Sequence, residues 1–296
     1  MSQRAIAKAL EVNQSTISRE LARTSGERGY RYKQAQRKCT ERRATACRPT
    51  KLTDSIISLI ESKLRIEWSP EQISGWLKIE HGKSISHESI YLYIWDDKRT
   101  GGDLYLHLRR QGKKYDKRRH GKSTRGHIKN RVCIEERPAI VESRERLGDW
   151  EIDTMIGKNH QGALVTIVER STQKLLCAHV PNKTAEAVTK ATIALLWPYK
   201  DFVHTITADN GKEFSGHEKI AKTLEADVYF AHPYSSWERA LNENTNGLMR
   251  QYFPKGTSFK QIGSSEVRKA VRRLNTRPRK TLEFKTPNQR WLEMAA

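Results

Sequence analysis

Several acidic side chains fall where a metal-dependent reaction could use them. Asp149, Glu151 and Asp153 alternate along one apolar stretch, Asp209 opens the turn Asp209-Asn210-Gly211, and Glu238 and Glu243 stand at the start of a polar helical segment. An Asx-Gly turn exposes its carboxylate and lets other backbone approach closely, so it is a place to hold a metal. Glu243 and Asn246 lie three apart and share a helix face. Carboxylates carried to one spot by separate elements repel one another unless divalent cations bind them. Hard oxygen donors suit Mg²⁺, with Mn²⁺ as a substitute. Two such ions about 3.5–4 Å apart can activate a nucleophile and stabilise a leaving oxygen in phosphoryl transfer. Spacing alone leaves open which acid of the strand, and which of the helix, takes part.

The elements that must position these acids are a sheet and its helices. Trp150, Ile152, Thr154 and Ile156 alternate with the acids in a strand rhythm, and residues 163–168 and 175–180 read as two more strands around a turn at Gln173-Lys174. Residues 184–197 have helical spacing, 203–207 form a fourth strand running into Asp209, a helix covers 217–224, and 228–230 add a short strand. The expectation for residues 132–296 is a mixed α/β sheet domain. Upstream, the pattern is helical throughout. Residues 2–23 read as a helix-turn-helix, with Asn13 capping a second helix that exposes Gln14, Thr16, Arg19 and Glu20. Side chains of that size reach base edges from the major groove. Glu11 sits in the turn where Gly is favoured, and no helix precedes Ser2, so the expectation is an incomplete module over 1–48. Residues 49–108 hold a better-formed trio: Thr53 caps a helix with Ile56, Ile57, Ile60 and Leu64 inward. Ser69-Pro70-Glu71-Gln72 is a capping box, Gly82 breaks that helix and Ser86 opens a third.

The charge supports a nucleic-acid partner. Of 296 residues, 55 are basic and 34 acidic, a formal charge of +21. Residues 1–130 carry 29 basic and 14 acidic side chains, net +15, against 26 and 20, net +6, for the remainder. Neutralised phosphates release counterions, so such an excess points to DNA or RNA. The densest run, Arg109 to Arg131, includes Arg110, Lys117, Arg118 and Arg119, has Asp116 as its one acid and is broken by Gly112, Gly121 and Gly126. It reads as a flexible linker (109–131) that touches phosphates. Arg268, Lys269, Arg272, Arg273, Arg277, Arg279 and Lys280 form a second basic group on a C-terminal helix and tail, suited to phosphate contact or simply to a solvated face. No window of 18 uninterrupted apolar residues marks a membrane span, the first residues lack a secretory pattern, and four scattered cysteines without a Cys-x-x-Cys pair fit a reducing cytosol rather than a zinc or disulfide framework.

The wording of the sequence adds a family. Gly148-Asp149-Trp150-Glu151-Ile152-Asp153-Thr154, the run from Thr207 through Phe214, and the run from His232 through Arg239 into Asn242-Glu243-Asn244-Thr245-Asn246-Gly247 resemble the IS-thirty family of bacterial insertion-sequence transposases. So do residues 250–256 and 274–280 and, upstream, residues 15–21 and 69–73, so that the resemblance covers almost the whole chain. It implies helix-turn-helix modules followed by an RNase H-like core with a DDE metal site, whose acids fall on Asp153, Asp209 and Glu243. The 33 residues between Asp209 and Glu243 match the family spacing, which Glu238 misses. Glu238 is therefore assigned a supporting role; beside it, Asn210, Trp237 and Asn246 are read as supporting residues, Asn242 and Asn246 being placed to hold metal-bound water or DNA. Trp237 and Tyr234 stack on bases or pack beneath the catalytic helix. Ala240 stands where the family commonly has Gly; if that position needs a positive φ, its Cβ costs about 1 kcal/mol and shifts Glu243.

The reading is a DNA transposase of DDE type. It binds double-stranded DNA at terminal inverted repeats and in the target, works with Mg²⁺, expected as two ions, and acts as a homo-oligomer on paired ends beside the bacterial nucleoid, with no membrane contact. Two rivals stand: a DNA-binding repressor of its own element whose nuclease is impaired, and a structure-specific nuclease of the same fold.

Overall fold

The computed structural model describes residues 1–27, 29–45, 51–109, 128–233, 235–260 and 262–296. The chain forms two compact units, Met1–Ile57 and Ser58–Ala296.

In the first unit, α1 (Gln3–Ala9) and α2 (Gln14–Thr24) enclose a tight turn, and α3 (Tyr32–Thr45) packs against α2. Ser2 and Asn13 cap the first two helices, the Asn13 carboxamide oxygen accepting from the Ser15 N–H at 2.9 Å. Glu11 takes the left-handed conformation (φ 52°) that a Gly would adopt at lower cost. Ala7, Thr24 and Ala35 are buried, whereas Leu10 and Val12 stay exposed.

The second unit opens with three helices: α4 (Asp54–Arg65), which straddles the division after Ile57, α5 (Pro70–His81) and α6 (His87–Arg99). The capping box is formed as expected: the Gln72 N–H donates to Ser69 Oγ at 3.3 Å and the Ser69 N–H to Gln72 Oε1 at 3.0 Å. Gly82 closes α5 in the left-handed region, and Ser86 caps α6. Thr53 stands immediately before α4, its carbonyl accepting from the Ile57 N–H at 2.9 Å and its hydroxyl meeting that of Ser55 at 3.0 Å. Ile60, Leu64, Ile73, Leu77, Ile90 and Ile94 are fully buried.

The sheet follows. Its strands are β1 (Val132–Cys133), β2 (Asp149–Ile156), β3 (Ala163–Glu169), β4 (Leu175–Val180), β5 (Thr205–Ala208) and β6 (Asp227–Phe230), in the order β1-β6-β5-β2-β3-β4. β2, β3 and β4 are antiparallel neighbours; β5 runs parallel to β2, β6 to β5 and β1 to β6. The short α7 (Ile140–Ser143) precedes β2. Helices α8 (Ala185–Leu196) and α9 (His217–Leu224) cover one face over Trp150, Ile152, Val165, Ile167, Ile206 and Phe230. On the other face lie α10 (Ala240–Met249) and α11 (Ser264–Asn275), over Met155, Leu164, Val168 and Leu175. With both faces covered, β3 is buried along its whole length, which is why its sequence is almost continuously apolar. Trp291 of α12 (Pro287–Ala295) fills the first core beside Trp150 and Tyr199. A mixed sheet of three antiparallel strands extended by parallel ones, with helices on both faces, is the RNase H-like arrangement.

α5 and the C-terminal region meet along one stripe. On α5, Glu71 and Gly75 are four apart and face Lys280 (2.7 Å) and the Phe284 ring, and Glu67, in the turn before the helix, pairs with Arg273 at 3.1 Å. A Cβ at Gly75 would lie 2.2 Å from that ring, so the close approach requires glycine.

Candidate active site

Register explains how two acids from distant sequence meet. β2 and β5 pair in parallel with Glu151 opposite Thr207, and two residues further along the same strands stand Asp153 and, just past the end of β5, Asp209. Because Trp150 and Ile152 face the α8 side, Glu151 and Asp153 face α10. The Asx-Gly turn is formed as expected: the Gly211 N–H donates to Asp209 Oδ1 at 2.8 Å, fixing that carboxylate. Asp153 is held by the Thr154 N–H at 2.7 Å and by Asn246 Nδ2 at 3.0 Å.

Arg239 joins the pair. One guanidinium nitrogen is 3.7 Å from Asp153 Oδ2 and the other 3.5 Å from Asp209 Oδ2, while the first also donates to the Ile152 carbonyl at 2.9 Å. Burial pushes the Asp153 carboxyl above the usual carboxylate range; Arg239 pulls it back, and the neighbouring Asp209 charge adds to the rise. Two adjacent carboxylates, one of them penalised for its charge, form a donor set that a divalent cation would stabilise, so the residues fit the metal that the fold implies. Close by, Lys183 pairs with the buried Glu213 at 2.6 Å, and Glu213 accepts from Thr154 Oγ1 at 3.0 Å.

The position of α10 is set by polar contacts that sequence reading missed. Asn242 is fully buried: its N–H donates to Glu151 Oε2 and its Nδ2 to the Glu151 carbonyl, both at 2.9 Å. Thr166 Oγ1 donates to Asn246 Oδ1 at 2.8 Å, so one hydroxyl on β3 orients the carboxamide that holds Asp153. Glu151 is itself paired with Arg170 at 2.6 Å, and Arg170 reaches Glu142 at 3.0 Å; Glu142 also pairs with Arg137, whose guanidinium is pushed down to about 10 by burial and then by Arg170. Arg137 in turn donates to Thr207 on β5 at 2.9 Å.

Glu243 lies exposed in the first turn of α10, on the stripe that carries Asn246 one turn later. Among the described residues it does not close into a group of three donors within 4.8 Å with the two aspartates. Glu238 is committed elsewhere: its two oxygens accept from the His232 N–H and Nδ1, both at 2.7 Å. Trp237 is 71% exposed, so it does not pack beneath the helix. Ala240 has φ −57°, ordinary right-handed helix, and the strain expected of a Cβ there is absent. Asn210 is buried, donating to the Ala231 carbonyl and accepting from Arg131.

The residues expected at DNA divide. Gln14, Thr16 and Arg19 are exposed on α2, where Arg19 also donates to Ser15. Arg272 is exposed on α11. Arg277 is 3% exposed, with its guanidinium on Tyr252 Oη at 2.7 Å and near Glu67 at 3.7 Å, so it serves the fold rather than an open phosphate surface. Arg273 and Lys280 pair with Glu67 and Glu71 as described. Arg109 is placed at the end of the described helical region, whereas Arg110, Lys117, Arg118, Arg119 and Tyr234 lie outside the described residues.

An RNase H-like sheet carrying paired carboxylates on neighbouring parallel strands defines the class of polynucleotidyl transferases, and the comparisons agree. A family model described as the integrase core domain matches residues 144–236, which include Asp153 and Asp209 and stop short of Glu243. The transposase for insertion sequence element IS4351 of Bacteroides fragilis is 47% identical over 296 residues, covering 99% of this chain and 91% of that protein. Transposase InsI for element IS30A of Escherichia coli (strain K12) is 38% identical, over 98% of this chain and 78% of that one. The catalytic core domain of BIV integrase matches at 20% identity and a TM-score of 0.41, over 50% of this chain and 95% of that chain.

The chain belongs to the IS-thirty (IS30) family of insertion-sequence transposases, enzymes with a DDE-type core that depends on divalent metal. Among the described residues, no helix is long and apolar enough to cross a membrane.

Proposed function

We propose that this protein binds the ends of its insertion sequence and cuts and joins DNA strands there, with Asp153, Asp209 and Glu243 as the metal-holding acids. The observation that supports this most is the Asp153–Asp209 pair, set side by side by strand register and counterbalanced by Arg239. Mg²⁺ or Mn²⁺, most economically two ions, would supply neutralisation of the phosphate charge and activation of the attacking oxygen. The chain's own residues do the positioning. Asn246 and the Thr154 N–H hold Asp153, the Gly211 N–H holds Asp209, and Arg239 offers positive charge to a phosphate. In the first step a water oxygen forms a bond to phosphorus at the element end and the P–O3′ bond breaks. The released 3′-hydroxyl oxygen then bonds to the phosphorus of a phosphodiester in another strand, whose own P–O3′ bond breaks to leave a new 3′-hydroxyl, with no covalent enzyme intermediate.

The organisation we propose is two DNA-reading modules (1–48 and 49–108), a basic linker (109–131) and the catalytic domain (132–296), working as a homo-oligomer on paired ends in the cytoplasm. Exposed Gln14, Thr16 and Arg19 approach base edges; Arg272 and the linker approach phosphates. Exposed Trp237 stacks on a base beside the acids.

DNA bearing the element's flanking ends, incubated with Mg²⁺ or Mn²⁺, is expected to show metal-dependent nicks at those ends and joined products. Both are absent with Asp209→Asn, which still binds the DNA. Binding without strand chemistry in the unaltered protein would favour the repressor, and cleavage without joining the nuclease. The third acid is decided by a pair of variants. Glu243→Gln should abolish metal-dependent cleavage, while Glu238→Gln, which alters a contact to His232, should reduce it far less. The opposite ranking would overturn the assignment of Glu243.

A further inference from the structure

A second group of metal-ligand side chains lies outside the carboxylate pair. Cys133 ends β1, Glu135 follows in a single 3₁₀ turn (Ile134–Glu136), and His232 lies two residues past the end of β6. β1 and β6 run parallel with Cys133 opposite Phe230, so both strands deliver their next residues to the same end of the sheet. There Cys133 Sγ is 3.5 Å from His232 Nε2, Glu135 Oε1 is 3.3 Å from that same nitrogen, and one ligand atom from each residue lies within 4.8 Å of the other two.

These separations can be compared with a metal's. Zinc bonds sulfur at about 2.3 Å and imidazole nitrogen or carboxylate oxygen at about 2.0–2.1 Å, so a tetrahedral centre sets sulfur about 3.5 Å from nitrogen and nitrogen about 3.3 Å from oxygen. Both values coincide with the distances found. The far side of the imidazole is already fixed. Glu238 Oε1 takes the Nδ1–H at 2.7 Å, and its second oxygen takes the His232 backbone N–H. A carboxylate on Nδ1–H turns Nε2 to the side where the thiol stands at 3.5 Å and Glu135 at 3.3 Å, the arrangement that orients metal-ligating histidines. A proton on Nε2 would serve one of those two partners; a metal ion serves both.

We propose that Cys133, Glu135 and His232 form a second metal site, selective for a borderline transition ion, Zn²⁺ by its donors, with Glu238 orienting His232 from behind. A thiolate and an imidazole disfavour Mg²⁺, so this site and the all-carboxylate pair take different ions. Glu135, His232 and Glu238 also line a cavity of about 390 Å³ with Arg137 and Trp237, which leaves space for water or a ligand at the fourth position. Binding releases the Cys133 thiol proton to solvent. The ion would staple β1 to the segment 232–239 that delivers Trp237 and Arg239 to α10. The site stands whether or not the catalytic assignment does, because it shares no ligand with it.

The test uses Co²⁺ as a spectroscopic probe on the chelator-treated, full-length protein. The expected result is one equivalent bound with a thiolate-to-cobalt charge-transfer absorption that Zn²⁺ displaces and excess Mg²⁺ does not. The band persists in Asp209→Asn and in Cys177→Ser, is lost in Cys133→Ser and His232→Gln, and in Glu238→Gln requires about 10–100-fold more metal. Absence of the band at one equivalent in the unaltered protein overturns the proposal without any variant. Its survival in a folded Cys133→Ser protein overturns it as well.

Discussion

Asp153→Asn is expected to lower strand cleavage and joining by at least about a thousandfold while leaving thermal stability equal or higher. A metal acting on a phosphoryl oxygen contributes several kcal/mol at the transition state, and each 1.36 kcal/mol is a factor of about ten in rate. The stability half of the prediction comes from the local electrostatics. Burial and the adjacent Asp209 both disfavour charge on Asp153, and Arg239, then the Thr154 N–H and Lys183, oppose them without cancelling the rise. An asparagine of the same shape removes that penalty and keeps an oxygen for the Thr154 N–H; the hydrogen bond that Asn246 Nδ2 makes to the second carboxylate oxygen is given up, at about 1 kcal/mol. Activity and stability therefore move in opposite directions, as at a site held in a costly arrangement for function. Parallel measurements of end cleavage and of the melting temperature check it. Activity within tenfold of the unaltered protein would remove Asp153 from the chemistry, and a large drop in melting temperature would mean that its charge serves the fold.

What the sequence made legible was whatever has a local signature. The alternation along residues 149–156, the apolar runs of β3 and β4, the capping box at Ser69 and the Asx-Gly turn at Asp209 all depend on neighbours within a few residues, and each appears where it was expected. β1 escaped because two residues carry no periodicity, and α12 was not anticipated. The longer-range partnerships were invisible for a different reason. Arg273, Arg277 and Lys280 look like phosphate contacts in composition, and only the fold brings Glu67 and Glu71 to them. A basic side chain in a sequence names a charge and not its partner. Arg239 is the converse case: it ends a recognised motif but no role is read for it there, yet it is the side chain that reaches both aspartates.

Arg170→Met is expected to destabilise the second unit by about 3–5 kcal/mol, the usual cost of leaving one member of a buried ion pair without its partner. Glu151 is fully buried and pairs with Arg170 at 2.6 Å, so removing the guanidinium strands a carboxylate where water cannot compensate. The effect extends to the site because Glu151 also accepts the Asn242 N–H and thereby fixes the first turn of α10, where Glu243 stands. Cleavage should consequently fall even at temperatures where the protein stays folded. Glu151→Gln in the Arg170→Met background removes the stranded charge, keeps an oxygen for Asn242, and should recover more than half of the lost stability. Urea midpoints for the two single variants and the double variant form the required cycle. A double variant no more stable than Arg170→Met would show that the pair contributes through packing rather than charge. If all three retained full cleavage, the position of α10 would be set from β3 through Thr166 instead.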